Sequence, residues 1–283
     1  MQLIDGKALA NKIQEQVAQE VDDLKSKHNI VPGLAVILVG DDPASHAYVR
    51  MKSKACERVG FYSITHNMPD SINQEEIIGT IEMINANPRI DGILVQLPLP
   101  KHIDTDAILD AIDPNKDVDG FHPCNVGRMV TGLDAFVPCT PLGVMKMFEE
   151  YNINLQGKDV CVVGASNIVG KPMASLLLNA NATVDVTHIY TKDLKEHTSK
   201  ADIVIVGAGV PKLIKADMIK EGAIVIDIGI NRLEDGSLVG DVDFENVAPK
   251  CSYITPVPGG VGPMTIAMLL SNTLDSAKKR VSK

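Results

Sequence analysis

A chain of 283 residues, 45% of them hydrophobic, is long enough for two domains that each bury a core. Its 36 acidic against 27 basic side chains give a formal charge of -9, which excludes the broad basic footprint of a nucleic-acid binder. Five cysteines without a C-x-x-C pair and the lack of any apolar run near ~20 residues exclude a disulfide framework, a zinc knuckle and a membrane-spanning helix, and they point to reduced thiols in a cytosol-like compartment.

The opening stretch, MQLIDGKALANKI, is charged and periodic and has no apolar signal core. Leu9, Ile13, Val17, Val21 and Leu24 recur at helical spacing up to a breaker region at 29–33. LAVILVG, 34–40, is a short continuous apolar run that suits a strand buried on both faces. Asp41, Asp42 and Pro43 then read as a helix start, with the helix over 44–59 closed by Gly60. A strand is expected over 62–66, a helix over 73–85, and a third strand in GILVQLPLP ending near Gln96. Such β then α alternation implies parallel strands with right-handed crossovers. After an irregular passage at 113–141 the alternation resumes, with strands at 160–164, 184–189, 203–207 and 223–229 and a final helix from about Pro263 to Lys278. The fold class is therefore α/β in two domains, with the domain change near Cys139.

Four stretches carry possible chemistry. Tyr48 and Lys52 stand four apart on one helix, so a planar ligand could stack on the ring while the amine handles its protons; a surface tyrosine and a solvated lysine fit the same spacing. Gln96 stands at the carboxyl end of a parallel strand, where open α/β sheets bind ligands, although a strand-end amide can equally cap a loop. In PNKDVDGFHP, Asn115, Asp117, Asp119 and Gly120 imitate the front of a calcium loop, but Val126 stands where the bidentate glutamate belongs, and calcium is rejected. The histidines form no H-E-x-x-H or similar pair, so no protein-bound metal is expected. Asp119 beside Gly120 is suited either to accept paired N–H donors from a heterocycle or to make a turn. Finally, CVVGASNIVGKP, 161–172, reads as strand, tight turn and helix. Helix N-terminal N–H groups there favour a phosphate, as in the first βα turn of a dinucleotide-binding unit; an ordinary tight turn remains the alternative, because the glycine spacing is not G-x-G-x-x-G.

Taken together, YVRMKSKACERVG, GILVQLPLP, KDVDGFHPCNVGR, PCTPLGV, VVGASNIVGKP and TPVPGGVGPMT stand in an order that closely resembles the bifunctional methylenetetrahydrofolate dehydrogenase/methenyltetrahydrofolate cyclohydrolase family. The resemblance covers essentially the whole chain. It implies a folate-binding catalytic domain of residues 1–139 plus 263–283, onto which the C-terminal helix returns, and a Rossmann-type NADP-binding domain of residues 140–262. It also implies a homodimer that oxidises 5,10-methylenetetrahydrofolate with NADP and hydrolyses the methenyl product to 10-formyltetrahydrofolate, while the thiol content and the opening stretch make the expected location cytoplasmic. A dehydrogenase-only member, another Rossmann oxidoreductase, or a non-catalytic NADP-binding regulatory module would share parts of this outline.

By the same resemblance Lys52 handles protons in the hydrolysis, which a lysine does near neutral pH only if its surroundings depress its pKa. Gln96 orients Lys52, Tyr48 stacks on the folate rings, and Asp119 binds the pterin amide and amino edge. Gly164, Ala165, Ser166, Asn167, Ile168 and Val169 form the phosphate turn; Thr140, Ile189, Ile230, Gly260 and Gly262 also face the cofactor, and Pro258 and Gly259 face the substrate. Many members carry arginine where this chain has Ala165, and a basic residue near the end of the second Rossmann strand, where this chain reads THIYTK around Ile189. No acidic residue closes that strand as is typical for NAD, and Lys192 can supply a positive charge, so the reading is NADP.

Overall fold

The computed structural model describes residues 1–281 and divides into two compact units. In chain order the elements are β1 (Gln2–Leu3), α1 (Gly6–His28), β2 (Gly33–Val39), α2 (Pro43–Arg58), β3 (Tyr62–Met68), α3 (Gln74–Asn85), β4 (Gly92–Val95), α4 (Thr105–Asp110), α5 (Pro123–Val130) and α6 (Cys139–Glu150). There follow β5 (Asp159–Val163), α7 (Gly170–Asn179), β6 (Thr183–Thr187), α8 (Leu194–Thr198), β7 (Ile203–Val206), β8 (Ile224–Asp227), β9 (Asn231–Arg232), β10 (Leu238–Val239), α9 (Phe244–Val247), β11 (Tyr253–Ile254) and α10 (Val261–Lys278).

The first unit comprises residues 11–128, 134–137 and the chain from Ile266 onward. Its sheet has the order β3-β2-β4, all parallel, and β2 is buried along its whole length, as its unbroken apolar run requires. Ile37, Ile93, Ile77, Ile81 and Ile108 interlock between the sheet and the flanking helices, each contributing about 1.5–3 kcal/mol through burial. Local chemistry starts the helices where the sequence said it would. Asp42 caps α2 by accepting the Ser45 N–H at 2.8 Å, and Asn73 and Glu76 form a reciprocal capping box on α3. The C-terminal helix does return to this unit: Asn272 Nδ2 donates to Val118 O at 2.8 Å, and Lys278 pairs with Glu20 of α1 at 2.6 Å. Gly92 makes room on β4, since a Cβ there would stand 2.7 Å from Val118 Cγ2 and 3.1 Å from Thr273 Oγ1.

The second unit comprises residues 1–10, 129–133 and 138–265. Its parallel sheet has the order β1-β11-β8-β7-β5-β6. β5 lies between β6 and β7, so successive crossovers leave it on opposite sides, and its carboxyl end is the topological switch point where such sheets bind ligands. The structure differs from the sequence expectation in its boundaries. Residues 1–10, 129–133 and 263–265 join this unit rather than the expected first domain, the first ten because β1 pairs with β11 and Lys7 N–H donates to Gly259 O at 2.9 Å. The passage at 113–141, read as irregular, contains α5 and the start of α6.

Candidate active site

In the first unit, α2 carries Tyr48 and Lys52 one turn apart on one face. Lys52 is only 6% exposed, and its Nζ stands 5.5 Å from the centre of the Tyr48 ring, within reach of the ring quadrupole. Gln96 follows directly on β4, and its N–H donates to Ile37 O at 2.9 Å, extending the pairing with β2 by one residue. Its side-chain Nε2 donates to Leu97 O at 2.7 Å, which turns Oε1 toward Lys52 Nζ, 3.0 Å away. The peptide that follows, Leu97–Pro98, is cis.

Asp119 lies two residues past Asp117, which bridges to Ile93 of β4 in parallel fashion. Buried Asp117 organises the loop. Its Oδ1 accepts the N–H groups of Gly120 and Phe121 at 3.1 Å each, and its Oδ2 accepts the His122 N–H at 2.8 Å and Asn125 Nδ2 at 2.9 Å. Asp119 itself is half-buried and close enough to act on Tyr48. Burial, and then the Asp119 charge, push the Tyr48 phenol above its ordinary value, so it stays protonated at neutral pH. Cys56, one further turn along α2, is held as a thiol, pushed up to about 12 mainly by burial, which removes it as a nucleophile. One unit thus assembles an aromatic face, an amine held by an amide, and a carboxylate. That set can stack a flat heterocycle, accept N–H donors along its edge, and move a proton.

In the second unit the Gly164–Val169 turn leads from β5 into α7. Gly164 has φ +117°, and a Cβ on it would stand 2.4 Å from Gly207 O; a Cβ on Gly170 would stand 1.9 Å from Gly164 O. Only glycine allows the turn to close this tightly. Ser166 Oγ accepts the Val169 and Gly170 N–H groups at 3.1 and 3.4 Å, Lys171 Nζ donates to Asn167 Oδ1 at 2.7 Å, and Ser166, Asn167 and Ile168 are exposed. Such an exposed turn at a helix N-terminus, on the switch point of the sheet, fits the phosphates of a dinucleotide.

The structure brings several other expected residues together in this unit. Thr140 Oγ1 lies 2.9 Å from Thr265 Oγ1, a Cβ on Gly262 would stand 3.2 Å from Ile230 Cδ1, and Gly260 O lies against Gly6. Gly259 has φ +104°, and exposed Pro258 follows a cis peptide. Ala165 is half-buried within the turn. Ile189 is not part of β6, which ends at Thr187: the His188 N–H turns onto Thr191 Oγ1 at 3.0 Å, and Ile189 is left 90% exposed, with Lys192 also exposed. Sequence reasoning missed Asp117 and Asn125 as organisers of the Asp119 loop, and the calcium-like spacing was the one signal that drew attention to Asp117.

Comparison with known proteins covers nearly the whole chain. Residues 4–119 match the model of the tetrahydrofolate dehydrogenase/cyclohydrolase catalytic domain, and residues 138–281 match that of the NAD(P)-binding domain of the same family. A bifunctional protein FolD from Sulfurovum sp. (strain NBC37-1) is 84% identical over 280 residues, covering 99% of this chain and all of the relative. The crystal structure of the bifunctional FolD methylenetetrahydrofolate dehydrogenase/cyclohydrolase from Campylobacter jejuni superposes with a TM-score of 0.98 at 59% identity, covering 99% of both chains. The Trypanosoma brucei methylenetetrahydrofolate dehydrogenase-cyclohydrolase, solved with NADP and an inhibitor, gives a TM-score of 0.96 at 40% identity over 99% of this chain and 98% of that one.

Proposed function

Because the chain belongs to the tetrahydrofolate dehydrogenase/cyclohydrolase family, we propose that it oxidises 5,10-methylenetetrahydrofolate to the 5,10-methenyl form with NADP and then hydrolyses that product to 10-formyltetrahydrofolate. The observation that carries the reading is the Lys52–Gln96 hydrogen bond beside Tyr48 and Asp119, in a chain whose other unit holds a glycine turn built for phosphates.

When bound, NADP supplies the hydride acceptor. The chain's own residues bind, orient and move protons. The Tyr48 ring stacks on the pterin, and the Asp119 carboxylate accepts N–H groups from its amide and amino edge. In hydrolysis, water adds to the methenyl carbon, and Lys52 Nζ takes the proton that water releases. As the bond from that carbon to N5 breaks, N5 gains a proton and the formyl group stays on N10. Gln96 keeps Lys52 in place for these transfers, because its own amide is fixed by Leu97 O. Gly164–Val169 would hold the pyrophosphate. The preference for NADP over NAD is supported by the absence of an acidic residue after β6, where the chain reads His188, Ile189 and Tyr190. The homodimer rests on the family resemblance and the cytoplasmic setting on the reduced-thiol composition, and light scattering tests the first. Among the described residues no helix is long and apolar enough to cross a membrane.

The deciding experiment is a spectrophotometric assay with methylenetetrahydrofolate and NADP or NAD, followed by methenyltetrahydrofolate decay with no nicotinamide present. We expect NADP reduction and enzyme-dependent decay, with the decay lost in Lys52→Met. Decay no faster than in buffer would make the chain a dehydrogenase only and remove the role of Lys52.

A further inference from the structure

We infer that Asp241 is a positioning residue for the dinucleotide, tying the loops after β7 and β8 together behind the Gly164–Gly170 turn. Its carboxylate has no exposed surface. Oδ2 accepts the N–H groups of Ala208 and Gly209, at 2.7 and 2.8 Å, and Oδ1 accepts Asn231 Nδ2 at 2.8 Å. Ala208 and Gly209 directly follow Gly207, whose carbonyl oxygen lies against Gly164 so closely that a Cβ there would come within 2.4 Å. On the other side, the Gly229 backbone rests on the Asp241 carboxylate, where a Cβ would stand 2.2 Å from Cγ, and Ile230 follows at once. Asp241 therefore links the floor of the phosphate turn to the loop that carries Ile230. Its own backbone is fixed by a second buried carboxylate, since Asp227 Oδ1 accepts the Gly229 and Asp241 N–H groups at 3.0 Å and Oδ2 accepts that of Val242 at 2.9 Å.

The chemistry of the position explains the residue type. N–H donors approach both oxygens, so both must accept, and only a carboxylate offers two acceptor atoms at this size. An asparagine at 241 would keep one acceptor and set its NH2 against that of Asn231, whose amide can turn over only by exchanging its 3.4 Å hydrogen bond to Val239 O for an oxygen–oxygen contact. A buried donor or acceptor left without its partner is destabilising, and the strain would fall on the two loops that shape the cofactor turn. The Lys52 set lies in the other compact unit and shares none of these bonds.

The inference rests on the NADP reading, and the test separates the two. NADP binding to the full chain would be measured by calorimetry, alongside nicotinamide-free hydrolysis of methenyltetrahydrofolate, for wild type, Asp241→Asn and the exchanged pair Asn231→Asp with Asp241→Asn. Asp241→Asn is expected to weaken NADP binding by about tenfold, in line with one mismatched buried donor, with hydrolysis unchanged. The exchanged pair restores an acceptor opposite a donor and should recover most of the affinity. Unchanged NADP affinity in Asp241→Asn, hydrolysis falling in step with binding, or no recovery in the exchanged pair would each overturn the role. A wild-type chain that fails to bind NADP would sink the functional reading itself, and this inference with it.

Discussion

Gln96→Ala tests whether the amide works through Lys52. The substitution removes the 3.0 Å hydrogen bond to Lys52 Nζ but leaves the Gln96 N–H on Ile37 O, so the strand end keeps its place. A hydrogen bond to a charged group is worth about 1.5–3 kcal/mol. At ~1.4 kcal/mol per factor of ten, its loss from the transition state slows hydrolysis by roughly 10- to 100-fold. The assay is methenyltetrahydrofolate decay without nicotinamide, over a range of substrate concentrations. We expect kcat to fall with KM nearly unchanged, because the amide holds the lysine rather than the substrate. A rise in KM at constant kcat would mean that Gln96 binds folate directly. A rate within threefold of wild type would refute the coupling altogether.

Asp119→Asn should weaken folate binding and, by removing a nearby negative charge, lower the pKa of the Tyr48 phenol; an ultraviolet titration that finds no lowering would contradict the proximity of the two groups. Gly170→Ala forces a methyl to 1.9 Å from Gly164 O, and overpacking of this kind costs about 1–3 kcal/mol. NADP affinity should drop while nicotinamide-free hydrolysis persists, and equal losses in both would argue against a local effect. Burial first, and the Asp241 charge after it, raise the Asp227 carboxyl from 3.8 to about 6 against the pull of its backbone donors. Its stabilising contribution is then complete below about pH 4 and is lost as pH rises through about 6, by about 3 kcal/mol in all. Urea unfolding of wild type against Asp227→Asn should show that difference shrinking across the window, and a pH-independent difference would refute it.

Continuous apolar runs made the sheets legible: 34–39, 92–95, 160–163 and 203–206 lie in strands buried on both faces, and their shortness and β-branched content set them apart from helices. The α2 start was equally plain, because Asp42 and Pro43 supply the cap and the first turn. What escaped has a physical cause in each case. β1 spans two residues, too few for any periodicity, and α5 contains Gly127 and opens on Pro123, so its pattern reads as a loop. Ile189 reads into the strand because β-branched Val184, Val186, Thr187 and Ile189 cluster there, whereas the His188–Thr191 turn stops the ladder at Thr187. Asp117 and Asp241 act through bonds to residues 3 to 33 positions away in loops, where no repeat announces them.

The main sheet of each unit is parallel, so the carboxyl ends of its strands lie along one edge, and within each unit the loops that leave those ends can converge. The candidate residues follow that geometry with little exception. In the first unit α2 follows β2, Gln96 is the residue after β4, and Asp119 comes two residues after the Ile93–Asp117 bridge. In the second, Gly164 is the residue after β5, Gly207 the residue after β7, and Ile230 comes three residues after β8. Up to that edge a strand needs only apolar side chains to hold its place, and beyond it the backbone must turn at once. The first small or polar residue after each apolar run is therefore under a local constraint that the run itself is not. Asp241 breaks the pattern because it comes after the β9–β10 ribbon and bonds to Ala208, Gly209 and Asn231 in the loops that follow β7 and β8. Substitutions at the strand ends should alter binding or rate, whereas substitutions at Asp241 should act only through the loops it joins.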